Sequence, residues 1–125
     1  SKPYWVIDKV NSAIIEYLKN HSEKSINDLK IACLGLAFKP DIDDLRESPA
    51  LKITTDLAQN YPNQIWAVEP NVKILPESLV QQNIKLVDLE CALQNADIFV
   101  LLVDHQEFKA KRLTTILAVS TEHSY

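Results

Sequence analysis

Ile31, Ala32, Cys33 and Leu34 form an unbroken apolar run closed by Gly35, and the residues beyond turn abruptly polar before a helix begins. Four consecutive apolar side chains suit a strand buried on both faces, which requires a sheet with helices packed above and below it. Ser48 and Pro49 then supply an N-cap and a first-turn proline for a helix with Leu51, Ile53 and Leu57 on its inner face. In open parallel sheets, ligands bind beyond the carboxyl ends of the strands, where helix N-termini offer free N–H groups to anions. The segment between strand and helix carries Lys39, Asp41, Asp43, Asp44, Arg46 and Glu47, and it is therefore placed to meet such a ligand.

The rest of the chain reads as support for that junction. Ser1 to His21 has helical spacing, with Val6, Val10, Ile14 and Leu18 on one stripe and Trp5, Ile7 and Tyr17 at its edges. Ser22 to Asp28 is a polar break. After the central helix come a turn at Tyr61 to Asn63, a strand over Gln64 to Val68, a short helix over Pro76 to Gln82 and a strand over Ile84 to Val87. Asp88 caps a helix carrying Leu89, Ala92, Leu93 and Ala96. Ile98 to Val103 is the most apolar strand, and Asp104 with Glu107 resembles a capping box. Leu113 to Val119 reads as a last strand before a frayed end. Alternating strands and helices predict an α/β fold, a three-layer sandwich with a mostly parallel, Rossmann-like sheet and an N-terminal connecting helix. The expected division is a connecting helix over residues 1–22 and one domain over 23–125, with an atypical tail over 110–125.

Composition narrows the function. A chain of 125 residues with 46% hydrophobic content supports one core. A formal charge of −4 argues against a general nucleic-acid surface, which needs clustered cations. The longest apolar run, Ile98 to Val103, is too short to span a bilayer, and no basic segment followed by an apolar one opens the chain, so no membrane partner and a cytoplasmic location are expected. Cys33 and Cys91 are too few and too far apart for a metal site or a disulfide framework, and both read as reduced structural thiols. Gly35 is the single glycine, so a G-x-G-x-x-G dinucleotide turn is impossible.

Several side chains admit two readings. Lys39 and Arg46 lie seven residues apart and could approach two phosphorylated ligands, or merely neutralise the aspartates between them. Glu69, at the end of the second strand, could hold a ribose hydroxyl, but without the glycine fingerprint a solvent-exposed acid before Pro70 is the favoured expectation. Asp43 and Asp44 could attract magnesium, but Arg46 competes for them and no metal is expected. Ser48 is a cap before it is a nucleophile, and His105 a solvated first-turn residue before it is a catalyst. A receiver-like signalling domain and a dimerisation or interaction module built on the apolar first helix are the rival functions.

The segments FKPDIDDLRESPA from Phe38, VEPN from Val68 and LVDHQEFK from Leu102 resemble the UDP-binding domain of the UDP-glucose/GDP-mannose dehydrogenase family, from about Lys2 to Lys109. The resemblance implies an NAD-dependent enzyme that oxidises the C6 alcohol of a UDP-sugar to a uronic acid for cell-surface polysaccharide synthesis. In the most similar branch the sugar is UDP-N-acetyl-D-mannosamine. It further implies that Phe38 and Lys39 contact the UDP-sugar and that Arg46 reaches NAD held mainly by another domain. A homodimer is implied for the complete enzyme. Neither cysteine here matches the family's nucleophile, so the chain alone is expected to be inactive. The family usually ends in a strand with a basic residue that reaches the substrate, and Lys109, Lys111 and Arg112 do not match it by position.

Overall fold

Ile31 to Leu34 are all fully buried and form β1 (Ile31–Leu34), the middle strand of a parallel sheet. The computed structural model describes residues 2–34, 49–70, 72–102 and 117–118, with side chains from residue 7 to 34, 51 to 70 and 72 to 102. In chain order the other elements are α1 (Lys2–Asn20), a 3-10 turn at Ile26–Asp28, α2 (Pro49–Asn60), β2 (Ile65–Val68), α3 (Glu77–Val80), β3 (Lys85–Leu86), α4 (Leu89–Asn95), β4 (Ile98–Leu101) and β5 (Leu117–Ala118). The described strands lie in the order β3-β2-β1-β4-β5. All their pairings are parallel, with Ile31 opposite both Ile65 and Ile98, and Leu34 opposite both Val68 and Leu101. That order is the 3-2-1-4-5 of a doubly wound, Rossmann-like sheet, whereas receiver-like domains have the first strand second from the edge. The receiver reading is therefore set aside on topology.

Successive side chains of β1 serve opposite layers, as the period of a strand requires. Ile31 and Cys33 join Val10 and Ile14 of α1, Ile53 and Leu57 of α2, and Ile98 and Val100 of β4 in one core cluster. Ala32 and Leu34 join Leu89 and Ala92 of α4 and Phe99 of β4 in the other. The sheet is thus covered on both faces. Leu51, Ile53 and Leu57 are buried as the helical spacing predicts. The sequence-read bounds are longer than the observed ones for α3 and β3, short elements whose ends fray. Asn63 and Asn83 take φ values of 65° and 62°, a left-handed conformation that asparagine tolerates, and each closes the turn leading from a helix into the next strand segment.

The amino-terminal end of the sheet is tied together by Asp97. Its Oδ1 accepts from the Lys24 ammonium at 2.6 Å and the Tyr17 hydroxyl at 2.9 Å, and its Oδ2 accepts from the Lys30 backbone N–H at 2.9 Å. Tyr17 stacks on His21, with ring centroids 3.9 Å apart. Nearby, Gln64 Nε2 donates to the carbonyls of Ile26 at 2.6 Å and Leu29 at 2.9 Å. These bonds fix the end of α1, the 3-10 turn and the starts of β1, β2 and β4 against one another.

Burial pushes the Asp97 carboxyl upward, but the Lys24, Lys30 and Tyr17 donors outweigh it and hold it below its ordinary 3.8. The hydrogen bond to Asp97 likewise holds Lys24 above its ordinary 10.5, against desolvation. The unfolded chain binds a proton at Asp97 more readily than the native one, so this contribution is complete above the ordinary carboxylate pKa and is lost as pH falls through the native value. The Lys24 contribution is complete at neutral pH and lost only as pH rises through its raised value. Asp97→Ala should cost about 2–4 kcal/mol in urea denaturation at pH 7, because it leaves a partly buried ammonium and an N–H without their acceptor. The same substitution should flatten the acid limb of the stability curve below about pH 4.

Candidate functional site

The carboxyl end of the sheet has the opposite character. Strand β1 ends at Leu34 and β4 runs beside it, with Leu102 N–H donating to the Leu34 carbonyl at 3.1 Å. From β1 the sheet grows through β2 and β3 on one side and through β4 and β5 on the other, so the strand order reverses between β1 and β4. Such a reversal point leaves a crevice at the carboxyl ends, the usual ligand position in open parallel sheets. Residues 35–48 follow β1 here, and residues 103–116 follow β4. Phe38, Lys39 and Arg46 lie outside the described residues, as do Asp43, Asp44, Ser48, Asp104 and His105.

Glu69 corrects the sequence reading. It is not solvent-exposed: it sits at the end of β2 with only 4% of its surface accessible. The backbone turns there, with Val72 N–H donating to the Glu69 carbonyl at 3.2 Å, and Pro70 faces solvent while the acid is buried. Sequence alone could not separate the acid's burial from the exposure usual beside a proline turn. Glu69 lines a cleft of about 460 Å³ with Val68, Pro70, Val72, Leu86, Val87, Asp88 and Leu89. Asp88 also caps α4 as expected, its Oδ1 accepting from Cys91 N–H at 2.7 Å.

The Asp97 cluster was not singled out by sequence reasoning. The available signal was an acid directly preceding the most apolar strand, with Lys24 and Lys30 flanking the polar break. The cluster lies at the sheet end opposite the crevice and serves the fold.

Among the described residues, no group of three or more His, Cys, Asp or Glu could hold a metal ion. Cys33 is fully buried, and desolvation pushes its thiol up to about 12 despite a hydrogen bond with Thr54. Cys91 is half-buried on α4. A thiol reagent at pH 8 should therefore modify Cys91 in the native protein and reach Cys33 only on unfolding. Equal rates at both would contradict this burial.

Residues 32–124 match the model of the UDP-glucose/GDP-mannose dehydrogenase family, UDP binding domain. The chain belongs to this family. The match continues past Lys109, where the residue-level resemblance ends. The chain is 50% identical over 109 residues to UDP-N-acetyl-D-mannosamine dehydrogenase of Yersinia pestis, covering 87% of this chain and 26% of that protein. It is 52% identical over 109 residues to the enzyme of the same name from Campylobacter jejuni, covering 86% and 25%. To NDP-N-acetyl-D-galactosaminuronic acid dehydrogenase of Ralstonia nicotianae it is 43% identical, covering 87% and 23%. The chain thus spans about a quarter of the length of these curated relatives. The UDP-binding domain family and the observed sheet order agree on a nucleotide-binding α/β fold. Among the described residues, no helix is long and apolar enough to cross a membrane.

Proposed function

We propose that this chain is the UDP-sugar-binding part of an NAD-dependent UDP-N-acetyl-D-mannosamine 6-dehydrogenase. The observation that carries the reading is the match to the UDP binding domain over residues 32–124, joined to identities near 50% with dehydrogenases of UDP-N-acetyl-D-mannosamine. In this reading the complete enzyme oxidises the sugar C6 alcohol to the carboxylate, in the cytoplasm, for polysaccharide synthesis, and works as a homodimer. Residues 1–22 are its connecting helix and residues 23–125 its UDP-binding domain.

Phe38 and Lys39 are the residues proposed to contact the UDP-sugar, with the lysine as a point charge for the diphosphate. Arg46 is proposed to reach NAD phosphates held by another part of the enzyme, since a guanidinium binds phosphate through paired hydrogen bonds. The described residues do not fit a dinucleotide by themselves. With one glycine in the chain and residues 35–48 between β1 and α2, the glycine-lined turn that lets a backbone approach a pyrophosphate cannot be built. A substrate-binding module whose hydride acceptor is bound elsewhere accounts for this.

Titration of the chain with UDP, followed by amide NMR, should give saturable shifts at Leu34 and Leu102, the two strand exits. Lys39→Ala should weaken the binding roughly tenfold or more, the range of a charge-assisted contact to phosphate. A flat titration up to millimolar UDP would contradict the reading. With NAD and UDP-N-acetylmannosamine together, the chain alone should form no reduced cofactor.

A further inference from the structure

The cleft at the ends of β2 and β3 combines apolar walls with a buried acid, the composition of a small-molecule subsite. We propose that it is the nucleoside end of the UDP site, with Glu69 accepting hydrogen bonds from the ribose 2′- and 3′-hydroxyls and Val72, Leu86, Val87 and Leu89 walling the space for the base. This inference rests on the UDP-binding reading and adds a recognition residue to it.

Three observations converge on a ribose. First, β2 is the immediate neighbour of β1 on the β3 side, with Leu34 opposite Val68 at their carboxyl ends. A nucleotide whose phosphates lie at the end of β1 extends over the end of β2, where an acid meets its ribose. Second, a carboxylate only accepts hydrogen bonds, so Glu69 selects a ligand group that donates, and it repels phosphate. A vicinal diol offers two donors side by side. Glu69 already has a partner within the protein, yet a carboxylate has about four lone-pair sites and keeps capacity for a diol. Third, of the two acids lining the cleft, Asp88 is exposed and caps α4, whereas Glu69 is buried, where a hydrogen bond to a ligand is shielded from water.

The chemical consequence is discrimination between ribonucleotides and deoxyribonucleotides. A buried site that hydrogen-bonds a hydroxyl rejects the analogue that lacks it, because its own polar group then loses a partner. The test is calorimetric titration of the chain with UDP and with 2′-deoxy-UDP, in the wild type and in Glu69→Gln. UDP should bind the wild type roughly 10- to 100-fold more tightly than the deoxy analogue, the range of one hydrogen bond to a charged group. In E69Q the ratio should fall to within about threefold. NMR shifts on UDP addition should include the Val72, Val87 and Leu89 methyl groups. If E69Q does not fold, Glu69→Asp, which keeps the charge and shortens the reach, takes its place with the same expectation of a reduced ratio. Equal wild-type affinities for the two nucleotides would overturn the inference and leave the UDP-binding reading standing. A preference unchanged by the Glu69 variants would also overturn it, since the hydroxyls would then be read elsewhere. Binding of neither nucleotide would overturn the UDP-binding reading itself, and this inference with it.

Discussion

Burial of β1 on both faces is the constraint from which the rest of the architecture follows. A four-residue strand with no exposed side chain cannot lie at an edge or against solvent, so it takes partners on both sides and helices above and below. Each fully buried isoleucine or leucine contributes on the order of 1.5–3 kcal/mol relative to an exposed one, and the two core clusters meet only through the sheet. Parallel pairing in turn forces crossover connections, and among the described residues α2, α3 and α4 supply those between β1 and β4. The chain then leaves β1 and β4 side by side at the same end, the reversal point at which open parallel sheets bind their ligands.

The two ends of the sheet divide the work. At the amino end, a single carboxylate gathers the ammonium of Lys24, the hydroxyl of Tyr17 and the amide of Lys30, drawing α1 onto the sheet. Every one of these groups lies far from the strand exits, so this end can be fixed tightly without limiting what the other end binds. At the carboxyl end a cleft lies at the exits of β2 and β3, beside the reversal point of strand order between β1 and β4. Helix α1 shares the core cluster of α2 through Val10 and Ile14, so it belongs to the packed body of the molecule as well as leading into it.

Much of this was legible in the sequence because burial and period act locally. The apolar run at Ile31, the spacing of Leu51, Ile53 and Leu57 and the cap at Asp88 each declare their structure within a few residues. The charge cluster at Asp97 could not be read that way, since its partners lie 67, 73 and 80 residues away in the chain. Glu69 went the other way: a proline neighbour suggests exposure, whereas the acid is buried at the end of β2, beside a cleft whose other walls arrive with β3. The site residues Phe38, Lys39 and Arg46 rest on resemblance and charge pattern, and they fall outside the described residues. What the fold adds is the position of the strand exit that precedes them.

The central claim is that this chain binds the nucleotide of a UDP-sugar at the carboxyl end of its sheet. Hydrogen–deuterium exchange of the chain with and without saturating UDP tests it most directly. The account predicts slowed exchange at the strand exits around Leu34, Val68 and Leu102 and in the turn after Glu69, with amides at Lys30 and Asp97 unchanged. Protection confined to the amino-terminal end, or no protection anywhere, would contradict it.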